Sequence, residues 1–527
     1  MYLYNLFLQF LNKVIDLAKT HMQIAIFGGA FYLFYIIVIF WDGKKKGHVR
    51  GAQLLNYNHK KGIFNKLIQK VKTVKKKNPD SIYIGDVELP RKDEDKQTLI
   101  LGRPGAGKTT IFNSIIDKLI ERNSKAIIYD IKGDYIQKFY DPEKDLILNI
   151  ADARSLKWSI ANEISDKADL VSLAESLIPR ATGTEQHWND TARGVFTAIL
   201  RLAVLQNKKA NKDIFNVINK PVADIFKYLS DNKQPESVYI SNPKNSSDVM
   251  STLMRYVSWL EYAEDGDFKI KDWINDKNKR FIFISNSTKI TDVQKPLLTL
   301  FIDLFVKTYL SLPDDISRRM YFLLDEFGTL NKLSAIKDML ILGRSKGLCS
   351  VLGVQDVGQI DAEYQEQTRN TIINACSNVA LLAQNDPNTA KLAAEILGQS
   401  EQWEDSHSAD ESGTGSTTQN AKQIKYLVLP SEFQSMDNLT AFVRILKNWQ
   451  FTDIKYVSYD NKNESFILNN SFEFQTTADP DGIESDGQIA TDGDKIETAE
   501  PETTIETAEP ETVNIDDDIN NDNDIFK

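Results

Sequence analysis

An open, mostly parallel α/β sheet, interrupted by a long helical stretch, is the fold class this sequence predicts, on three observations. Short apolar runs ending in polar residues alternate with helix-periodic segments on both sides of residues 165–275. Inside that interval strand-like runs thin out and helical spacing takes over, at 168–178, 191–205, 222–228 and 249–262. About a hundred residues is too long for one crossover connection, so the interval reads as an all-α domain inserted into the sheet domain. The third observation is the glycine-rich turn that follows the first buried strand.

That turn is Leu99-Ile100-Leu101-Gly102-Arg103-Pro104-Gly105-Ala106-Gly107-Lys108-Thr109-Thr110. Thr98–Leu101 is apolar enough for a two-sided strand, and a periodic helix runs from Lys108 to about Glu121. The spacing G-x-x-x-x-G-K-[ST] is met at every fixed position, between a strand and a helix. Glycines let successive N–H groups turn inward around phosphate oxygens, and the helix that follows adds its positive end. The cradle is therefore Gly102, Arg103, Pro104, Gly105, Ala106, Gly107, Lys108, Thr109 and Thr110. Lys108 reaches the β- and γ-phosphates of ATP, and the Thr109 hydroxyl is a ligand for Mg²⁺. A bare glycine turn is the bland alternative, and the flanking strand and helix weigh against it.

Charge is unevenly spread. The chain has 527 residues and a formal net charge of −11. Residues 478–527 hold 17 acids against two lysines, a balance of −15, so the remainder carries +4. The folded part is thus compatible with a nucleic-acid partner while the tail is not. The octapeptide Ile-Glu-Thr-Ala-Glu-Pro-Glu-Thr recurs there at 496 and 505, and low hydrophobicity with strong charge predicts a disordered acidic tail over 471–527. Cys349 and Cys376 have neither metal nor disulfide spacing and read as small core residues.

At the other end, residues 22–41 contain one strongly polar side chain, Gln23. At about 1.5 Å per residue they span about 30 Å, one hydrocarbon core. Twelve cations and no acid follow between Gly43 and Pro79, which places the C-terminal side in the cytoplasm. A cleaved signal peptide competes, but the apolar run is too long and lacks a small-residue cleavage site. Residues 1–20 form an amphipathic helix, either interfacial or a first span. The expected layout is an anchor at 1–42, a basic linker at 43–80, a nucleotide-binding domain at 81–164 and 276–470, an all-α domain at 165–275, and the tail. The Ser/Thr/Asp/Glu/Gly-rich stretch 401–423 reads as a mobile surface loop.

Three further positions bear on chemistry. Tyr321-Phe322-Leu323-Leu324-Asp325-Glu326 is an apolar strand ending in two acids. Beside a phosphate loop, such a strand places Asp325 on the Mg²⁺ and Glu326 on the attacking water; in isolation it reads equally as a strand followed by a helix cap. Gln355 ends the next strand, which in a parallel order sits beside Asp325, as a γ-phosphate sensor or as a solvated strand end. Arg344, in Leu342-Gly343-Arg344-Ser345-Lys346-Gly347, is either a guanidinium for a neighbouring subunit's nucleotide or a surface arginine near a helix end.

With these placed, the chain resembles the TraD/TrwB family of type IV secretion coupling proteins, from about residue 24 to 446. The likeness rests on an anchor followed by His48-Val49-Arg50-Gly51-Ala52, on Ile84-Gly85-Asp86-Val87-Glu88-Leu89-Pro90, and on Tyr129-Asp130-Ile131-Lys132-Gly133-Asp134. It continues through Asn149, Asp152-Ala153-Arg154-Ser155, Trp158, Leu324-Asp325-Glu326-Phe327, Gly343-Arg344-Ser345-Lys346-Gly347, Gly353-Val354-Gln355-Asp356 and Leu427-Val428-Leu429-Pro430. The resemblance implies a RecA-like P-loop ATPase that assembles as a homo-hexamer at the bacterial inner membrane, its bulk cytoplasmic. Such a protein binds DNA, recruits the relaxase-bound transfer strand and other relaxosome proteins, and delivers them to the type IV secretion channel. It also implies the family's roles for Lys108, Thr109, Asp325, Glu326, Gln355 and Arg344. Family members have two membrane spans, and here the first is ill-defined. An FtsK-like membrane-tethered DNA translocase and a protein-substrate receptor are the competing readings. The former places its motor after a longer linker; a degenerate, non-hydrolysing scaffold is opposed by intact Lys108, Asp325 and Glu326.

Overall fold

The computed structural model describes residues 77–472 except 182, 184, 287–288, 316 and 410–415. It also describes two short strands nearer the start, β1 (His48–Gly51) and β2 (Leu54–Leu55), and the isolated Gln9 and Lys13. The expected span at 22–41, the helix at 1–20 and the acidic tail beyond 472 lie outside the described residues. Among the described residues no helix is long and apolar enough to cross a membrane.

A small hairpin of β3 (Ile82–Ile84) and β4 (Val87–Leu89) leads into β5 (Thr98–Leu101) and the helix α1 (Lys108–Glu121). β6 (Lys125–Tyr129), α2 (Asp134–Phe139) and β7 (Leu146–Leu148) follow. Helices then take over: α3 (Lys167–Leu177), α4 (Glu185–Leu205), α5 (Asn211–Ile218), α6 (Val222–Asp231), α7 (Pro243–Val257) and α8 (Ile270–Asn275). α3 opens with a capping box, Asp166 accepting from the Ala168 and Asp169 N–H groups while Asp169 reaches back. α7 opens on Asn242 with Pro243 behind it, a pairing that satisfies one orphan donor and removes another. Sheet and helix then alternate through β8 (Phe281–Ile284), α9 (Thr291–Leu310), β9 (Met320–Leu324), α10 (Ile336–Leu342), β10 (Leu348–Val354), α11 (Val357–Ala375), β11 (Asn378–Leu381) and α12 (Pro387–Leu397). The described chain closes with β12 (Gln399–Ala409), β13 (Ser416–Tyr426), α13 (Pro430–Gln434), β14 (Thr440–Ile445) and β15 (Asn448–Asp453).

Ten strands form one sheet in the order β2-β15-β14-β11-β5-β10-β9-β6-β8-β7. From β11 to β7 every neighbour is parallel; β14 and β15 add an antiparallel margin. β5, β8, β9, β10 and β11 are buried at every residue, as parallel strands covered on both faces must be. Side chains divide by parity. Leu99, Leu101, Ile127, Phe322 and Leu324 face one core together with α4, α9 and α11. Ile100, Ile128, Tyr321 and Leu323 face the other with α1 and α2. The helices of 165–275 share the first of these cores with the sheet, through contacts such as Trp273 of α8 edge-on to Phe305 of α9 at 5.6 Å.

Two features differ from the sequence reading. Residues 401–409 and 416–423 are strand, not loop: β12 and β13 pair antiparallel over eleven residue pairs, from Gln399↔Tyr426 to Ala409↔Ser416, and β1 pairs along the other side of β12. Ladder hydrogen bonds are made by the backbone, so a composition rich in Ser and Thr does not oppose them. The second feature is the margin β14–β15, which joins the sheet next to β11 and whose entry residues touch the phosphate loop.

The helix α1 is held at its far end by a buried ion pair. Its C-cap residue Arg122 donates to Glu94 Oε1 at 2.9 Å, and Tyr321 Oη donates to Glu94 Oε2 at 2.5 Å. This ties the strand-preceding turn at Arg91–Lys96 to the base of the helix that carries the glycine loop at its other end.

Candidate nucleotide site

The site lies where β5, β9, β10 and β6 end on the same sheet edge, the place where an open parallel sheet exposes its loops. The Gly102 N–H donates to Val354 O on β10 and the Arg103 N–H to Ala383 O beyond β11, so the loop leaves β5 anchored to both neighbouring strands. Gly105 has φ +76° and nothing within 4 Å of where a Cβ would be, leaving the inside of the turn open. Gly107 has φ +119°, a backbone conformation that requires glycine, and a Cβ there would sit a tight 3.0 Å from Leu439 Cδ2. No side chain caps the N terminus of α1. Its first N–H groups are therefore available to an anion.

The loop is also braced from outside. Leu439, just before β14, donates its N–H to Ala106 O at 2.9 Å. Arg103 is pinned by Asn385 Oδ1 and Asn438 Oδ1, both at 2.9 Å. Lys108 is 6% exposed, and its ammonium curls over the turn to Gly102 O at 2.8 Å and Arg103 O at 3.4 Å. Burial holds its pKa below the usual lysine value, while Asp325 and Glu326 pull it back up and Lys132 opposes them.

Asp325 and Glu326 follow β9, which is separated from β5 by β10 alone. Asp325 Oδ2 accepts from Tyr135 Oη at 2.6 Å, while Oδ1 is buried with no hydrogen-bond partner. Burial raises the Asp325 pKa, against the Tyr135 hydrogen bond and the Lys108 charge. An orphaned carboxylate oxygen in a buried place destabilises the chain by about 1–3 kcal/mol or more unless something takes it. A hydrated cation is the kind of group that would. The residues present therefore fit Mg²⁺ held through water, with Thr109 close by and the open turn alongside.

Gln355 stands just past the last residue of β10, at the end read for it from the sequence, and its partner is Glu326: Nε2 donates to Glu326 Oε1 at 2.5 Å. The reason is a two-residue overhang, since Leu352 is level with Leu324 and Gln355 reaches past Asp325 to the next acid. Arg344 does not join the group. It is exposed on the short turn Gly343–Lys346 that precedes β10, so it stands at the opposite edge of the sheet, a strand length away. Seven residues of β10, at about 3.3 Å each, separate the two edges by about 23 Å.

Two residues of the site escaped the sequence reading. Asp130, 3% exposed at the end of β6, accepts the N–H groups of Asp134, Tyr135 and Ile136 at 3.0, 2.7 and 3.0 Å. Burial pushes its pKa up to about 7, against those N–H bonds, with Asp134 and Asp325 adding to the rise. Tyr135 is thereby fixed at the start of α2, with its hydroxyl on Asp325. The strand-ending acid was visible in the sequence, but a tyrosine five residues on carries no motif of its own.

A family model for the type IV secretion-system coupling protein DNA-binding domain matches residues 81–456. The coupling protein TraD of Escherichia coli K12 is 27% identical over 389 residues, which is 71% of this chain and 54% of TraD. The chain thus spans about half the length of that curated relative. Among solved structures, the plasmid coupling protein TrwB in complex with the ATP analogue ADPNP is 23% identical with a TM-score of 0.69, covering 81% of this chain and 99% of that one. TrwB in complex with ADP and Mg²⁺ is 23% identical with a TM-score of 0.69, covering 80% and 98%. At that identity the likeness establishes a common fold with a large, mostly parallel central sheet.

Proposed function

The chain belongs to the type IV secretion-system coupling proteins, and from that premise we propose that it is a membrane-anchored, hexameric ATPase that brings relaxase-bound DNA to a conjugative secretion channel and drives its export. The observation that carries the ATPase reading is the buried, unpartnered Asp325 Oδ1 beside an uncapped helix start and the Lys108 ammonium. TrwB structures hold ADPNP and ADP with Mg²⁺, and ATP with Mg²⁺ is the matching cofactor pair here.

The roles follow from position. N–H groups of Gly105, Gly107 and the first turn of α1 grip phosphate oxygens, and Lys108 leaves the loop carbonyls for them. Thr109 and Asp325 would hold the cation, and when bound it would supply charge to neutralise what develops on the transferred phosphoryl group. Glu326 takes the proton of the attacking water, aligned by Gln355. Arg344, remote from its own chain's site, serves the nucleotide of the neighbouring copy, which makes the hexamer a condition of full turnover.

The deciding experiment is ATP turnover by the detergent-solubilised full chain with and without single-stranded and duplex DNA. Severalfold stimulation, lost steeply between 50 and 200 mM salt on the order expected for phosphate-backbone contacts, is the expected result. Turnover indifferent to DNA but raised by a secreted protein would favour a protein-substrate receptor.

The membrane assignment has its own check. Deleting residues 1–42 moves the protein to the soluble fraction in bacterial lysates, because the basic stretch that remains is attracted to anionic lipid by only about 1 kcal/mol per cation, and salt screens it. Retention of the truncated protein in membranes washed at high salt would show that the anchor lies elsewhere.

A further inference from the structure

The two side chains given to the cation, Thr109 and Asp325, share one neighbour. Tyr135 Oη donates to Asp325 Oδ2 at 2.6 Å, and the Thr109 side chain lies beside the same phenol. The Tyr135 ring is 1% exposed and tilted against Phe112 of α1 at 6.2 Å, so it links the helix that carries Thr109 to the strand end that carries Asp325. Its backbone is fixed in turn by Asp130, whose Oδ2 accepts the Tyr135 N–H at 2.7 Å. Resting on the Mg²⁺-nucleotide reading above, we propose that Tyr135 is the positioning residue of the metal site, its hydroxyl spacing and orienting Thr109 and Asp325 so that Asp325 keeps Oδ1 free for the hydrated cation.

Three details support the assignment. Among the described residues Tyr135 is the one hydrogen-bond partner given to the Asp325 side chain, so without it neither oxygen is directed. The ring lies against Phe112 of α1 and its N–H is held by Asp130, so the hydroxyl is fixed from both sides where it meets Asp325. A second-sphere donor of this kind fixes which carboxylate oxygen meets a metal and changes metal affinity by about 10–100-fold when removed.

Tyr135→Phe keeps the ring and its packing and deletes only the bridging hydroxyl. The test uses the detergent-solubilised full chain and three measurements: Mn²⁺ binding in the presence of ADP by electron paramagnetic resonance, ADP binding without metal by calorimetry, and thermal melting. The expected result is Mn²⁺ affinity at least tenfold weaker, metal-free ADP affinity within twofold of wild type, and a melting temperature shifted by only a few degrees. Excess Mg²⁺ then restores part of the ATP turnover. Mn²⁺ affinity within twofold of wild type would overturn the proposal, as would parallel loss of metal-free ADP binding, which marks a merely structural role. If the wild-type protein itself takes up no Mn²⁺ with ADP, the nucleotide-metal reading fails first; normal wild-type uptake with an unaltered Y135F variant overturns the Tyr135 role alone.

Discussion

Lys108→Ala lowers ATP turnover by at least about 10²–10³-fold, the size measured elsewhere when one preorganised donor to a developing charge is removed, and leaves the sheet folded. The ammonium is the only cation that the loop itself directs inward; at rest it lies on Gly102 O and Arg103 O. Lys132 is close enough to depress the Lys108 pKa, but it is exposed and lies on the turn after β6, beyond β9 and β10 from the loop. It does not replace Lys108. Folding is spared for a physical reason. Burial disfavours the charged lysine, so alanine removes a desolvation penalty along with the two carbonyl contacts, one of them to the part-exposed Arg103. Turnover assays paired with thermal melting check both halves; wild-type turnover in a folded variant would end the motor reading.

Glu326→Gln is the second large effect: turnover falls by about 10²–10⁴-fold, the range for loss of a general base, with ATP affinity kept. Glutamine preserves the shape and an amide oxygen that can still accept from Gln355 Nε2, now at 2.5 Å from Glu326 Oε1. What disappears is the negative charge and the ability to take a proton. Measuring kcat against the nucleotide Kd separates this outcome from a binding defect. A variant that loses ATP affinity in step with kcat would place Glu326 on the nucleotide rather than on the water. Gln355→Ala frees the carboxylate without neutralising it, so the two variants distinguish charge from alignment.

Much of the nucleotide site was legible in the sequence because its parts are local. The loop from Gly102 to Thr110 needs glycines at fixed offsets, and strand and helix signals flank it within a few residues. Asp325 and Glu326 could be read because a buried parallel strand is a continuous apolar run, so its end is conspicuous. Gln355 was placed on the right edge, beside β9, but its hydrogen bond to Glu326 was not legible, since the overhang of β10 past β9 depends on register, which no spacing in the chain encodes.

Local pattern by itself determined the α/β alternation, the helical interval at 165–275, the phosphate loop and the acids at the end of β9, because each is written in contiguous residues with the period of its own backbone. Tertiary structure alone decided which distant groups complete them: Leu439 and Asn438 bracing the loop from the antiparallel margin, Tyr135 joining Thr109 to Asp325, and the ribbon of β12 and β13 in place of a loop. Arg344, too, owes its separation from the site to the parallel pairing of β10 with β5, which sends the start of one strand and the end of the other to opposite edges. These contacts join residues far apart in the chain, or turn on strand pairing, and arise only once the sheet order brings their backbones together.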